Sequence, residues 1–322
     1  MIPKDLIRQH LATCLADSSF LKIPGMRKGK VRDSYDFGGT TMLITTDRQS
    51  AFDRILAHVP FKGQVLNQVS EFWFEKTRDI VRNHVIEVPD PNVTVAKKCA
   101  VLPVEFVVRG YLTGSTDTSA WMQYAKGSRN ICGNILDDGM VKNEKFKRPI
   151  LTPTTKSDVH DESISAAEIV DRGIIEAGLW RECEDVAFKL FDRGTKIAAE
   201  HGLILVDTKY EMGIDEDGKL CLIDEVHTPD SSRYWIAKTY KQRFDNRQEP
   251  ENIDKEFLRL WFKDHCDPYN DKQLPEAPED LVVELSHRYS TLYEMITGQT
   301  FEVDLSVSIQ DRMKTNLAKY MK

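Results

Sequence analysis

The amino-acid sequence predicts an α+β fold of two lobes, with an active site in the cleft between them. The chain has 322 residues, enough for one large or two ordinary domains with a substantial core. Its first hundred residues are mostly antiparallel strand patterns around one long helix, whereas helices and strands are mixed after Tyr111. We therefore predict a smaller N-terminal lobe of residues 1–103 and a larger lobe of residues 104–322.

Short apolar runs broken by turns predict the elements of the smaller lobe. Helical spacing of apolar residues over 6–15 and over 63–83 predicts two helices. The glycines at 38 and 39 mark the turn of a hairpin. The predicted strands are residues 30–37, 41–46, 85–88, 93–100 and 104–109.

Capping and turn signals predict the elements of the larger lobe. Ser165 and Glu168 have the spacing of a capping box at the start of a helix. The polar stretch 127–156 has few apolar clusters, which predicts active-site loops. The predicted elements are helices 165–178 and 185–201, a strand 203–206, a hairpin of 209–214 with 219–224, and helices 279–297 and 306–321.

Composition excludes several classes of function. The formal net charge of -7 gives no sign of a surface for nucleic acid or anionic membranes, so anionic substrates need local basic pockets. The N-terminus lacks the apolar region of a signal peptide, and no stretch approaches ~20 apolar residues. The six cysteines are scattered without a C-x-x-C pair, which predicts reduced thiols. Together, the charge, the lack of long apolar stretches and the cysteines predict a cytoplasmic protein without membrane or nucleic-acid partners.

The segment Gly29-Lys30-Val31-Arg32 is a candidate phosphate site. Glycine lets backbone N–H groups approach a phosphate, and the lysine ammonium can neutralise it. The segment is not a Walker A loop, because it is one residue short and Val31 replaces the hydroxyl that binds magnesium. A solvated basic turn is the alternative interpretation.

The run from 102 to 115 places Arg109 at the end of a strand. Glu105 and Arg109 share one face of this strand because side chains alternate. A Thr-Gly-Ser loop ending at Ser115 follows, and a guanidinium beside hydroxyls and backbone amides suits a phosphomonoester. The alternative is an arginine that caps a loop carbonyl.

The segment from 203 to 213 is the most informative one. Asp207, Lys209 and Glu211 line one face of a strand that leaves an apolar core, and the hairpin partner brings Asp224 to the same end. Three acids with one lysine suit a magnesium-bound nucleotide, although the wet face of a half-exposed hairpin is the alternative. Asp230 and Arg233 follow at once, which favours the functional interpretation.

Two more polar segments are ambiguous by themselves. Asp47 and Ser50 lie in a loop after a strand, and Lys156, Asp158 and Asp161 lie in a segment that could be an ordinary loop before a helix. His160 has no visible Ser or Cys partner, so the sequence does not predict a hydrolase triad.

Taken together, these segments resemble the SAICAR synthetase family. LPVEFVVRGYLTGS at 102–115 and LVDTKYEMG at 205–213 are similar to its two signature motifs. GKVRDSY, DRQSAFD, KGQVLNQVSEFWF, LTPTTKSDVHDESIS and DEVHTPDSSRYW are similar to further blocks, in the family's order. The resemblance covers about 25–240 closely, and the RGYLTGS form and the chain length look like the longer, fungal-type branch. His227 departs from the residue that many relatives carry.

The resemblance implies a fold and a reaction. The implied fold has a small, kinase-like antiparallel lobe and a larger lobe related to ATP-grasp enzymes. The implied enzyme is an ATP-dependent C–N ligase that converts ATP, L-aspartate and carboxyaminoimidazole ribonucleotide (CAIR) into ADP, phosphate and SAICAR. A carboxylate on an electron-rich ring is a poor electrophile, so phosphorylation to an acyl phosphate would precede attack by the aspartate amine.

The resemblance also implies roles for individual residues, with Mg²⁺ as the cofactor. Catalytic roles fall on Lys209, Asp224 and Arg233, and ATP binding on Lys30, Arg32, Lys97 and Glu211. Asp224 and Glu105 are the implied metal ligands. CAIR and aspartate are implied to bind at Arg109, Ser115, Arg233, Asp47, Ser50, Lys156, Asp158, Asp161 and Asp230.

Two rival functions remain open at the level of sequence. A small-molecule kinase on the same fold would consume ATP without aspartate, but it would not need a phosphate clamp of Arg109, Ser115 and Arg233. A non-catalytic nucleotide-binding module would not need Glu105, Glu211 and Asp224. The sequence leaves the oligomeric state open between a monomer and a homodimer.

Overall fold

The computed structural model describes residues 1–116, 119–156 and 162–321. The helices are α1 Lys4–Gln9, α2 Lys62–Lys76, α3 Ala120–Ala125, α4 Ala166–Asp171, α5 Ala177–Glu200, α6 Ala237–Asp245, α7 Glu256–His265, α8 Glu279–Thr297 and α9 Ile309–Asn316. The strands are β1 Arg27–Lys28, β2 Arg32–Asp36, β3 Thr40–Thr45, β4 Arg48–Ala51, β5 Arg54–His58, β6 Arg82–Asn83, β7 Val85–Asp90, β8 Val93–Lys97, β9 Ala100–Leu112, β10 Asn130–Ile131, β11 Asn134–Ile135, β12 Glu144–Leu151, β13 Thr154–Thr155, β14 Leu203–Ile214, β15 Leu220–Ile223 and β16 Ser232–Ile236. No helix in these ranges is long and apolar enough to cross a membrane.

The smaller sheet contains the predicted hairpin. Its strands pair antiparallel in the order β1-β2-β3-β8-β7, and β2 and β3 form the hairpin. Alternate residues such as Tyr35, Met42 and Val95 point into a small core. Met313 of the C-terminal α9 and Leu317 just after that helix cover this core.

The larger sheet carries the site. Its strands follow the order β12-β9-β14-β15-β6, with β13 beside β9 and β16 beside β14. Antiparallel pairing sets Glu211 opposite Glu105 and Asp207 opposite Arg109. Behind these residues, the opposite face of β9 and β14 is fully buried in the main core. The α+β architecture with a small antiparallel sheet and a larger sheet is therefore confirmed.

Several local predictions were wrong where distant partners decide the structure. The helix predicted over 63–83 ends at Lys76, because residues 82–83 pair with β15 in the larger sheet. The helix predicted over 165–178 is two helices, although its capping box is confirmed. The stretch 127–156 holds four strands instead of loops only, because β12 and β13 pair with β9.

The predicted lobe boundary does not coincide with the end of a helix or strand. Residue 103 lies inside β9, which runs without interruption along the larger sheet. The helix α2, which belongs to the first 103 residues, packs in the main core together with α8. The division into 1–103 and 104–322 stays a prediction.

Candidate active site

One group of charged residues lies on one face of β9 and β14 and at the end of the neighbouring β15. We call Glu105, Lys209, Glu211 and Asp224 the acid-rich group. The Lys209 ammonium donates to Glu105 Oε1 at 2.8 Å and to Glu211 Oε1 at 2.6 Å. Lys156 pairs with the second oxygen of Glu211. Strand register thus brings together the residues that the sequence predicted to share a face, with Lys156 added from the segment after β13.

The electrostatics of this group keep its lysine charged. Burial lowers the pKa of Lys209, but Glu211, Glu105 and Asp224 outweigh burial and raise it above its ordinary value. Burial also raises the pKa of Glu211, but Lys209 and Lys156 bring it down to about 2. Lys209 is therefore a fixed cation at neutral pH, and it cannot serve as a general base.

Asp224 joins the two sheets. Arg32, at the start of β2 in the smaller sheet, donates from Nη1 to Asp224 Oδ1 at 2.8 Å. Its Nη2 lies 3.0 Å from Glu225 Oε2. Burial raises the pKa of Asp224 to about 6, with Arg32 opposing the rise and Glu211 and Glu225 adding to it. Crowded carboxylates of this kind favour a bound cation.

A second group lies further along the same sheet, with Arg109 on β9 and Arg233 on β16. We call Arg109 and Arg233 the arginine pair. They share the carboxylate of Asp207, with Arg233 Nη1 at 2.5 Å and Arg109 Nη1 at 3.6 Å from Oδ2. Arg109 Nε donates to Thr152 Oγ1 at 2.8 Å. One carboxylate between two guanidiniums leaves N–H donors available for an anion.

The loop after β9 brings Ser115 to the arginine pair. Gly114 lies so close to its neighbours that a Cβ there would stand 2.3 Å from Ser119 Cβ and 3.5 Å from Arg233 Nη2. The Ser115 hydroxyl donates to Glu256, whose other oxygen lies 3.7 Å from Arg233 Nε. The structure therefore brings Arg109, Ser115 and Arg233 close together, with Glu256 between Ser115 and Arg233, and their role as a phosphate clamp stays a prediction.

A cavity of about 170 Å³ connects the arginine pair to Lys209. It opens over β9 and β14, with Asp207 and Thr208 in its floor. The sequence analysis missed part of its wall, which comes from the segment before α7 and its first turn. The only local signal in that segment was its density of charge. The missed residues are Asp254, Lys255, Glu256 and Arg259.

Asp230 lines the same cavity from the loop before β16. Its Oδ2 lies 2.8 Å from the ammonium of Lys62, which is fully buried. Its Oδ1 accepts from the Tyr289 hydroxyl at 2.6 Å. Burial raises the pKa of Asp230, but Lys62, Lys255 and the Tyr289 hydroxyl together outweigh burial and bring it down to about 2. Asp230 thus lies at the site, but both of its oxygens already face partners within the protein.

Other predicted residues lie outside these groups. Asp47 is buried and accepts from the backbone N–H groups of Leu15 at 2.7 Å and Gly63 at 2.8 Å. Ser50 is buried in β4, and Lys30 forms an exposed pair with Asp53. Lys97 ends β8 half-buried, without an ion pair to any acid that the structure describes. Asp158 and Asp161 lie outside the described residues.

His227, where the sequence departs from many relatives, is a core residue. It is fully buried, with φ of 48°. Its Nε2 lies 2.5 Å from the Tyr210 hydroxyl, and its ring meets that of Trp73 edge to face. Burial lowers its pKa to about 3, so the ring is neutral at physiological pH. Its surroundings indicate a packing role behind β14.

Comparison with known proteins agrees with this arrangement. Phosphoribosylaminoimidazole-succinocarboxamide synthase of Legionella pneumophila (strain Paris) is 56% identical over 309 residues, covering 96% of this chain and 99% of that protein. The chloroplastic enzyme of the same name from Arabidopsis thaliana is 54% identical, covering 97% and 77%. The solved SAICAR-synthase from Saccharomyces cerevisiae, complexed with SAICAR, has a TM-score of 0.74 at 33% identity, covering 87% and 97%.

The fold, the site and these relatives define an ATP-dependent ligase. The family model described as SAICAR synthetase matches residues 25–276, and the chain belongs to that family. The predicted family and enzyme class are thereby confirmed. The placement in the longer, fungal-type branch stays a prediction.

Proposed function

We propose that this chain joins L-aspartate to CAIR at the expense of ATP and releases SAICAR, ADP and phosphate. One observation carries the proposal: Arg109 lies on the same strand pair, β9 and β14, as Glu105, Lys209 and Glu211. Arg233 on β16 and Asp224 after β15 join them from the neighbouring strands. Lys209 lies opposite Val107, and Arg109 is two residues from Val107 along β9. Two residues of a strand span about 7 Å, a distance on the scale of one nucleotide. A ribonucleotide held by its phosphate at one group can therefore present its carboxylate at the other.

The arginine pair supplies the phosphate end. Arg109 is half-buried and already oriented by Thr152, so little side-chain entropy is lost when an anion binds. The Ser115 hydroxyl, which donates to Glu256, lies next to the pair, and Lys255 and Arg259 add positive charge to the cavity wall. A phosphomonoester dianion would then replace the weak 3.6 Å contact of Arg109 with Asp207 by direct hydrogen bonds.

The acid-rich group supplies the phosphoryl-transfer end. Lys209 is held by two carboxylates at the cavity, where its charge can stabilise the CAIR carboxylate as that group accepts the γ-phosphoryl. Arg32 reaches the same place from the smaller sheet, next to Asp224. Nucleotide phosphates between the sheets would therefore meet cations from both lobes. Glu211 and Lys156 pair with each other next to Lys209, where they could contact the nucleotide and the substrate.

Mg²⁺ fits this group by the chemistry of its donors. Asp224, Glu211 and Glu105 offer carboxylate oxygens, which are the ligands that magnesium prefers. Within residues 1–116, 119–156 and 162–321, no three acid, His or Cys side chains already form a metal site. Burial raises the pKa of Asp224, Glu211 and Glu225 add to the rise, and a divalent cation would oppose all three effects. When bound, the ion would neutralise phosphate charge during the transfer.

The chemistry has two steps that balance. The CAIR carboxylate attacks the γ-phosphorus of ATP, and the bond to the β–γ bridging oxygen breaks to release ADP. The aspartate amine then attacks the acyl carbon, phosphate leaves, and the nitrogen loses a proton as the amide forms. Positioning and charge neutralisation by this chain's cations would accelerate both steps, at about 3–4 kcal/mol per well-placed donor.

Phosphate release with each substrate omitted in turn tests the proposal. Release that requires ATP, CAIR and aspartate together supports the ligase. Release without aspartate would favour the kinase, and tight ATP binding without turnover would favour the non-catalytic module. The ligase is preferred because Arg109 of the clamp shares a strand pair with Glu105, Lys209 and Glu211 of the acid-rich group.

The cellular compartment and the oligomeric state of the enzyme stay proposals as well. All six cysteines are free, which supports a reducing compartment such as the cytoplasm. The Arabidopsis relative is named chloroplastic, so compartments differ among relatives. Light scattering of the purified chain separates the monomer from the homodimer.

A further inference from the structure

In the loop of residues 29–32, the carbonyls of the first three residues accept hydrogen bonds from two buried residues. The loop is closed by a hydrogen bond from Gly29 N–H to the Arg32 carbonyl at 2.8 Å. A Cβ on Gly29 would stand 2.8 Å from that carbonyl oxygen, so a residue with a side chain would open the loop. The loop lies at the cleft, because Arg32 extends from it to Asp224.

Arg48 binds two of these carbonyls from below. It is 1% exposed, and its guanidinium donates to Gly29 O at 2.9 Å and to Lys30 O at 3.2 Å. It also donates to Ala16 O at 2.7 Å and to Asp33 Oδ1 at 2.7 Å. Asp33 neutralises the buried charge, and the planar fork fixes two consecutive peptide groups at once.

Thr46 binds the third carbonyl. Its hydroxyl donates to Val31 O at 2.6 Å, and its backbone N–H donates to the same oxygen at 3.0 Å. Thr46 is fully buried. The carbonyls of three consecutive residues, 29 to 31, are therefore turned inward by Arg48 and Thr46.

The inward carbonyls fix the direction of the backbone N–H groups of the loop. In a trans peptide the N–H points opposite to the C=O, so the N–H groups of Lys30 and Val31 point away from Arg48. Within the part of the chain that the structure describes, neither N–H donates to a protein acceptor. Successive free N–H groups on one side of a glycine loop form a concavity for an anion.

We propose that Arg48 and Thr46 are positioning residues, which turn the backbone of residues 29–31 so that the amides of Lys30 and Val31 bind a phosphate of ATP. This inference rests on the proposed function for the identity of the anion. It assigns the phosphate contact to the backbone, which agrees with the outward, exposed side chain of Lys30. Neither Arg48 nor Thr46 reaches the nucleotide itself.

The neighbouring threonine provides a matched control for the experiment. Thr45 is also buried, and its hydroxyl has no hydrogen-bond partner among the described residues. Thr45→Val and Thr46→Val remove the same atom from adjacent positions, but only the second removes a bond to the loop. Thr46→Ser keeps that bond.

Calorimetry with ATP and with adenosine tests the inference. Thr46→Val should weaken ATP binding by about threefold to tenfold, the worth of one hydrogen bond, and leave adenosine binding unchanged. Thr46→Ser should bind like wild type, as should Thr45→Val. Arg48→Lys should weaken ATP binding by more than tenfold, since an ammonium cannot hold both carbonyls. In turnover, the KM for ATP should rise while the KM for CAIR stays constant.

Each other outcome is decisive. If Thr46→Val matches Thr45→Val in ATP affinity, or weakens ATP and adenosine equally, the positioning role is wrong. If wild type binds ATP but shows no turnover that depends on CAIR and aspartate, the proposed function fails while the positioning role still stands on binding. If wild type does not bind ATP, both fail.

Discussion

The acid-rich group and the arginine pair lie on neighbouring strands of the larger sheet but are neutralised in opposite ways. In the first group, one lysine lies between Glu105 and Glu211, with Asp224 nearby. In the second, one carboxylate lies between Arg109 and Arg233. The first group has spare oxygen ligands, and the second has spare N–H donors. The difference shows how a chain of net charge -7 can bind a cation at one end of the site and an anion at the other.

The largest expected effect tests the acid-rich group. Asp224→Asn should abolish turnover, a loss of about a thousandfold or more, because the amide is neutral and a weak metal ligand. The melting temperature should change little, since Arg32 retains its ion pair with Glu225. Steady-state kinetics and calorimetry check both. Asp217→Asn is the control, because Asp217 also pairs with an arginine, Arg82, but on the exposed hairpin. Wild-type turnover in Asp224→Asn would refute the assignment.

Lys209→Met should have the next largest effect. It removes the cation that faces the reacting carboxylate, so kcat should fall about a hundredfold or more. ADP affinity should fall much less, because Arg32 and the backbone of residues 29–31 remain. Comparing kcat with the ADP dissociation constant separates the two. Lys189→Met on α5, whose lysine pairs with Asp185, should leave both unchanged. An equal loss in chemistry and ADP binding would show that Lys209 binds nucleotide instead.

Arg109→Lys tests the other end of the groove. The KM for CAIR should rise about tenfold to a hundredfold with a smaller change in kcat, because a point charge cannot bind two phosphate oxygens. Arg193→Lys is a matched control, because Arg193 makes a two-point contact with Asp79 far from the groove. An unchanged KM for CAIR in Arg109→Lys would remove the phosphate role from the arginine pair.

The smallest expected effect is on the free energy of unfolding, through His227 in the core behind the two groups. Burial lowers the pKa of His227 from 6.5 to about 3, so below pH 6.5 the unfolded chain gains a proton that the folded chain does not. The stability from this group is complete above pH 6.5 and falls by about 1.4 kcal/mol per pH unit below it. His227→Asn should make that slope shallower by the same amount, measured by urea unfolding at pH 5 and 6.5. An unchanged slope would mean that His227 titrates normally.

Part of the site could be predicted from the sequence because strand geometry is local. Alternation along 203–213 predicted that Asp207, Lys209 and Glu211 share a face, and the same rule applied to Glu105 and Arg109. The hairpin at 38–39 and the capping box at Ser165 were predicted from turn and capping residues alone. Such signals depend on a few neighbours in the chain, so they survive in any tertiary context.

Contacts that the sequence did not predict depend on distant partners. Asp47 has the polar character of a site residue, and its two oxygens accept from the backbone N–H groups of Leu15 and Gly63, so its role at the site stays a prediction. The stretch 127–156 is polar, yet β12 forms because β9 offers it a free edge. Residues 254–259 carry no motif, and the tertiary structure places them against Arg233.

The sequence by itself determined which side chains share a strand face, where the turns and caps lie, and the family to which the chain belongs. The tertiary structure decided which charges meet: Arg32 with Asp224 across the two sheets, Asp207 with both arginines, and Lys62 with Asp230 in the core. The physical reason is range. Backbone periodicity acts over a few residues, whereas an ion pair depends on distance in space and on burial, which the packing of the whole chain sets.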